Sequence, residues 1–147
     1  MTERTNFPNA FYRVGVKAVI KNDANQVLCV HDTGDDDMWS LPGGGLDHGD
    51  DIKSGLAREF VEEIDYAGEF SMEFRDTCIY YSRAIGAYVL YMIFVVELHD
   101  AYEPRAGVDA REVSYLGESD LENYSDRQAE IIRKYGFGQQ VDIPIYK

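Results

Sequence analysis

Cysteine, proline and tryptophan are scarce in this chain of 147 residues, with two, four and one copies respectively. Cys29 and Cys78 sit in apolar runs, and a pair is too few for a disulfide framework or a four-thiolate zinc site, so both are expected as buried free thiols. Long apolar stretches are missing as well. The longest run, Ala87 to Val96, falls short of the ~20 residues a spanning helix needs, and Met1 to Pro8 contains no apolar leader core. The expectation is a soluble cytoplasmic protein without a membrane partner. Basic residues are outnumbered, 14 Lys and Arg against 27 Asp and Glu, for a formal net charge of −13. Such a field repels nucleic-acid polymers and anionic membranes. It admits a small phosphorylated ligand only through divalent cations or a few well-placed basic groups. Repeats, low-complexity segments and linkers are absent too, so residues 1–147 read as a single domain.

What the chain does have is core material, with 45% hydrophobic and 13% aromatic residues, which excludes disorder. Residues 11–20 alternate as a half-buried strand, placing Val14, Val16, Ala18 and Ile20 on one face and Arg13, Gly15 and Lys17 on the other. A turn at Asp23-Ala24-Asn25 leads into a short apolar strand over 26–31. Residues 69–81 form a long strand interrupted at Asp76. Residues 87–97, apolar on both faces, predict a central strand covered from both sides. Two helices supply the cover. One spans about 51–64, capped by Asp50 or Asp51, with Leu56, Phe60 and Ile64 in its apolar stripe; the other follows the Ser125-x-x-Gln128 capping spacing and ends at Gly136.

On the first helix Glu59, Glu62 and Glu63 stand at i, i+3 and i+4, so three carboxylates share one face. Each like-charged pair costs roughly 0.2–0.5 kcal/mol on an exposed helix unless a cation sits there. Upstream, Gly43-Gly44-Gly45 after Pro42 makes a backbone-exposing turn whose carbonyl and amide groups can approach a ligand or metal. Hard divalent cations take oxygen ligands such as these. Arg13 and Lys17, on the polar face of the first strand, are candidates for phosphate contact and equally for plain surface charges. Gly44-Gly45-Leu46-Asp47-His48-Gly49 lacks the Lys-Ser/Thr of a phosphate-binding P-loop. The acidic run Asp32–Asp37 lacks the fixed glycine and terminal glutamate of an EF-hand, and His31, His48 and His99 show no paired ligand spacing.

The stretch Gly44–Tyr66, 23 residues, closely resembles the Nudix box through Gly44, Arg58, Glu59, Phe60, Glu62, Glu63 and Tyr66. It departs at Asp50, where the family has Glu, and at Asp65, where the family has a glycine in a left-handed conformation. The resemblance implies an α+β fold, an α/β/α sandwich with a mixed β-sheet between helices. It also implies that Glu59, Glu62 and Glu63, with the Gly43 carbonyl, hold Mg²⁺ or Mn²⁺ on a diphosphate while Arg58 orients the cluster. The implied reaction is hydrolysis of a nucleoside diphosphate linked to another group: a nucleoside triphosphate, ADP-ribose, dinucleoside polyphosphate or nucleotide sugar. The partner is then a small nucleotide, and monomer and homodimer stay open. Glu59 is one candidate for the general base; Glu112, placed like the family's acid before its last strand, is another, as base or extra ligand. Tyr80 and Tyr81, some fifteen residues past the box, tilt the substrate slightly toward dinucleoside polyphosphates, although Tyr80 faces the core side. The rival reading is a Nudix-fold module that binds a nucleotide without turning it over.

Overall fold

The computed structural model describes residues 11–34 and 37–145. The N-terminal segment and the middle of the acidic run therefore lie outside the described residues. The strands are β1 Tyr12–Val19, β2 Val27–Asp32, β3 Trp39–Ser40, β4 Gly43–Gly45, β5 Phe70–Ser82, β6 Ala87–Leu98 and β7 Ala110–Leu116. Helix α1, Ile52–Ile64, lies between β4 and β5; α2, Arg127–Ile131, follows β7 and continues as a π turn over Ile132–Gly136.

The strands form two sheets, β4-β1-β6-β5 and β3-β2-β7. The first is mixed: β1 runs parallel to β6, while β4 and β5 pair antiparallel. The parity read from the sequence decides what lies on each side. Val16, Ala18 and Ile20 face a core that α1 closes with Leu56, Phe60 and Ile64, joined by Leu28, Val30, Phe70, Phe94 and Val96. Val19 faces the other way, into a second core of Val89, Ile93, Cys78, Tyr80 and Leu121 that Ile131, Ile132 and Tyr135 close. With a helix over each face, the fold is the expected α+β sandwich, and β6 is the doubly covered strand its composition demands. Both cysteines are buried free thiols. Among the described residues no helix is long and apolar enough to cross a membrane.

Local signals explain the element ends. Asp51 caps α1, its side chain accepting from the Ser54 N–H at 2.8 Å. At the second helix the cap falls one residue later than the Ser-x-x-Gln spacing predicts: Asp126 accepts from the Ala129 N–H at 3.1 Å. An aspartate carboxylate serves there in place of the serine hydroxyl. The interruption of β5 is a bulge between Phe74 and Asp76 against β6. Asp76 does not merely break the ladder, because its carboxylate accepts from the Tyr135 hydroxyl at 2.9 Å and ties β5 to the π turn that continues α2. Farther along β5, the Tyr81 N–H donates to the Ile145 carbonyl at 2.9 Å, which lays the C-terminal segment on the edge of the sheet.

Phe60 is the residue on which α1 turns. It is fully buried, with its ring edge-on to Phe70 at 4.9 Å and to Tyr66 at 6.5 Å. Truncation leaves a cavity that the rigid sheet does not fill. Phe60→Ala is expected to lower the unfolding free energy by about 3–5 kcal/mol, read from the urea midpoint at unchanged slope.

Candidate active site

The glycine turn and the acidic helix meet at one edge of the mixed sheet. β4 is the turn itself, paired antiparallel to β1 through Lys17↔Gly43, Val16↔Gly44 and Gly15↔Gly45. Gly43 adopts φ +133°, and a Cβ there would lie 2.0 Å from the Val16 carbonyl oxygen, so no side chain fits. Gly44 serves the site more directly. A Cβ on it would meet the Glu59 carboxylate at 2.8 Å, so the absent side chain is what lets that carboxylate lie against the turn.

Of the three carboxylates that share one face of the helix, Glu63 is the one drawn into the interior. Its side chain is buried, and Oε1 accepts from the Gly43 N–H at 2.7 Å. A helical wheel places it beside Glu59 and Glu62, but the wheel does not know that the turn folds over this end of the helix. Lys17 is buried as well. Its Nζ donates to the carbonyls of Leu41 at 3.2 Å and Gly43 at 3.4 Å, and lies 5.2 Å from the centroid of the Tyr91 ring. Lys17 thus fixes the turn from within and places a positive charge near Glu63 and Glu59. Arg13 holds the far end of the turn, donating to the Leu46 carbonyl at 2.8 Å and pairing with Asp47 at 3.7 Å.

Arg58 is the hub of the exposed side. It donates to Asp50 at 2.8 Å and pairs with Asp47 at 3.3 Å, Glu59 at 3.5 Å and Glu62 at 4.0 Å. Asp50 also accepts from the Asp47 N–H at 3.0 Å. That backbone bond, together with Arg58, holds the Asp50 carboxyl below its ordinary range. The shorter side chain at this position therefore still reaches the arginine. Glu112, in contrast, lies on β7 opposite His31, exposed, with no hydrogen bond or ion pair to this cluster among the described residues. Two acids that sequence spacing did not single out lie nearer. The charge of Asp109 acts on Glu59 and that of Asp32 on Glu63. Both come from loops or strand ends whose proximity only the tertiary fold creates.

Burial, and then the neighbouring Glu62, pushes the Glu59 carboxyl up. Burial dominates at Glu63, raising it to about 8 despite Lys17 and the Gly43 N–H. The donor set is hard, anionic oxygen in a place where charge is costly, which is the chemistry a divalent cation relieves. Among the described residues, however, no three His, Cys, Asp or Glu side chains converge as a ready-made metal cage. The side chains suit Mg²⁺ or Mn²⁺ by chemistry.

A raised carboxyl makes the folded state bind more protons than the unfolded one, so stability falls as pH rises from about 4.5 to about 8. With chelator present, the melting temperature is expected to drop by roughly 5 °C or more across that window. Glu63→Gln should flatten much of the drop, leaving the smaller share of Glu59. Parallel melting curves for the two proteins would contradict the assignment.

Comparison with known proteins agrees with this geometry. A segment of 66 residues is 33% identical to Nudix hydrolase 5 of Arabidopsis thaliana, covering 42% of this chain and 22% of that protein. A segment of 58 residues is 43% identical to an RNA pyrophosphohydrolase of Ruthia magnifica subsp. Calyptogena magnifica, covering 40% of this chain and 32% of that protein. The matches thus span a third or less of these curated relatives. In structure, the dihydroneopterin triphosphate pyrophosphohydrolase of E. coli superposes with a TM-score of 0.69 at 15% identity, covering 87% of this chain and 99% of that one. The sequence model of the NUDIX domain matches residues 11–135. Since that match runs from the first strand through the acidic helix to the last helix, the chain belongs to the NUDIX domain family.

Proposed function

We propose that the protein is a metal-dependent pyrophosphohydrolase that cleaves the diphosphate of a nucleoside diphosphate linked to another group. The observation that carries this reading is the junction of turn and helix, where Glu59 lies against Gly44, Glu63 is bonded to Gly43 and Arg58 links Asp50 to Glu59 and Glu62. The names of the RNA and dihydroneopterin triphosphate pyrophosphohydrolases supply a common reaction class for the relatives.

In this reading Glu59, Glu62 and Glu63, with the Gly43 carbonyl, hold Mg²⁺ or Mn²⁺. A divalent cation, when bound, neutralises bridging phosphate oxygens and acidifies water. The remaining work belongs to the chain. Arg58 restrains Glu59 and Glu62 and offsets their mutual repulsion. Lys17 keeps the Gly43 carbonyl and the turn in place. Glu59, which lies against the turn beside Glu62, is assigned the proton of the attacking water. The water oxygen bonds to one phosphorus, the bond from that phosphorus to the bridging oxygen breaks, and the other phosphate departs with the bridging oxygen and its electron pair. Glu112 has no part in this assignment because it lies apart from the cluster. Arg13 and Lys17 act through the turn.

A second reading, a module that binds a nucleotide without hydrolysing it, rests on the two departures from the box, Asp50 in place of Glu and Asp65 in place of glycine.

The test is product release from ADP-ribose, nucleoside triphosphates, dinucleoside polyphosphates, nucleotide sugars and a 5′-triphosphorylated RNA oligomer, with Mg²⁺, Mn²⁺ or chelator. One substrate class is expected to turn over with metal only. Glu62→Gln and Glu63→Gln should each lower kcat by about a hundredfold or more while circular dichroism stays native. The acidic surface predicts that the RNA oligomer is the poorest substrate. Ligand-induced thermal stabilisation without turnover of any compound would instead establish the binding module.

A further inference from the structure

Helix α1 carries Glu59, Glu62 and Glu63, yet its last turn contains no basic residue to meet the carbonyl end of its dipole. It also ends on Asp65, left-handed at φ 52°, where the box has glycine. A segment some forty residues downstream answers both deficits. The Arg105 Nε donates to the Asp65 carboxylate at 2.9 Å and Nη2 donates to the Asp65 carbonyl at 3.0 Å, so one guanidinium grips side chain and backbone together. The Tyr102 hydroxyl donates to the Ile64 carbonyl at 2.6 Å, the Gly107 N–H to Glu63 at 2.9 Å and the Asp109 N–H to Glu62 at 2.8 Å. These are the carbonyls that a helix end leaves without partners. Arg105 packs on its own tyrosine, 5.2 Å from the Tyr102 ring, which is in turn edge-on to Tyr66 at 5.7 Å. At Gly107 a Cβ would fall 2.3 Å from the Glu62 carbonyl oxygen, so the approach is as close as the backbone allows.

We propose that Arg105 is a positioning residue: through the collar of residues 102–109 it holds the last turn of α1, and the carboxylates of Glu62 and Glu63, in register with the glycine turn. Its necessity comes from Asp65. A glycine at that position closes a helix without help, whereas aspartate holds the left-handed conformation against its Cβ and gains from having both its carboxylate and its carbonyl bonded. The two residues form one device. The consequence for metal binding rests on the hydrolase reading; the grip on the helix does not.

The experiment compares wild type with Arg105→Ala, Arg105→Lys, Asp65→Gly and the Asp65→Gly/Arg105→Ala double variant. Hydrogen exchange reports whether the Gly107 and Asp109 amides stay docked, and paramagnetic resonance titration with Mn²⁺ alone reports the carboxylates. Arg105→Ala is expected to speed exchange at both amides, weaken Mn²⁺ about tenfold and lower kcat with KM within about twofold. Arg105→Lys should lie between, since a lysine cannot grip two oxygens in one plane. In the Asp65→Gly background the same alanine should change Mn²⁺ affinity by less than about twofold. Protected amides in Arg105→Ala overturn the collar. Opened amides with unchanged Mn²⁺ affinity reduce it to a structural clasp and overturn the positioning role. An equal loss in the glycine background overturns the link to Asp65. If wild type itself takes up no Mn²⁺, the hydrolase reading falls, while the exchange data still decide the collar.

Discussion

The bond between the Gly43 N–H and the Glu63 carboxylate joins the two halves of the site, and most of what surrounds it exists to make it possible. A carboxylate this buried is unfavourable unless its lone pairs are met, and a backbone N–H at a turn is a fixed donor. Lys17 supplies a nearby positive charge, and its amine reaches the Gly43 carbonyl because β1 runs beside the turn in antiparallel register. Gly43 supplies the backbone conformation. Each partner comes from a different element, so the site and the sheet edge fold as one unit.

Two different kinds of charge balance operate on α1. Near the turn, buried Lys17 faces buried Glu63, and desolvation governs the pair. On the outer side, Arg58 links four carboxylates that water still reaches, and screening makes each pairing weak by itself. The inner pair locates the helix, whereas the outer hub leaves its acids free to rearrange around a ligand. That division explains how a cluster of acids can be fixed in place along its backbone and still lack a preformed cage at its tips.

Much of this was legible in the amino-acid order. Parity along β1 assigned Val14, Val16, Ala18 and Ile20 to one core, which holds for all but Val14, exposed near the start of the strand, and the doubly apolar β6 required cover on both faces. The helix with Leu56, Phe60 and Ile64 as its stripe follows from 3.6-residue spacing, and of the two aspartates offered as its cap the structure takes Asp51. Legibility ended where contacts cross between elements. Helical spacing put Glu63 on one face with Glu59 and Glu62, and carries no information about a turn folding over it. Parity set Lys17 on a polar face without showing that its amine is consumed by two carbonyls. The collar is invisible to local pattern: Tyr102 and Arg105 lie in a loop with no periodicity, and only the path of the chain brings them to Asp65. Glu112 illustrates the converse. Its place before the last strand fits an expectation about order along the chain, yet the register beside His31 directs it elsewhere.

The outer edge of β5 has a consequence for behaviour in concentrated solution. An uncovered edge thirteen residues long would be a template for strand addition by neighbouring molecules. Here the bulge beside Asp76 breaks the row of backbone groups midway, and the Ile145 carbonyl occupies the amide of Tyr81 near one end. Neither device touches the glycine turn. Resistance to stacking into ribbons is thereby built into the strand farthest from the chemistry, where it can vary without disturbing the acids of α1.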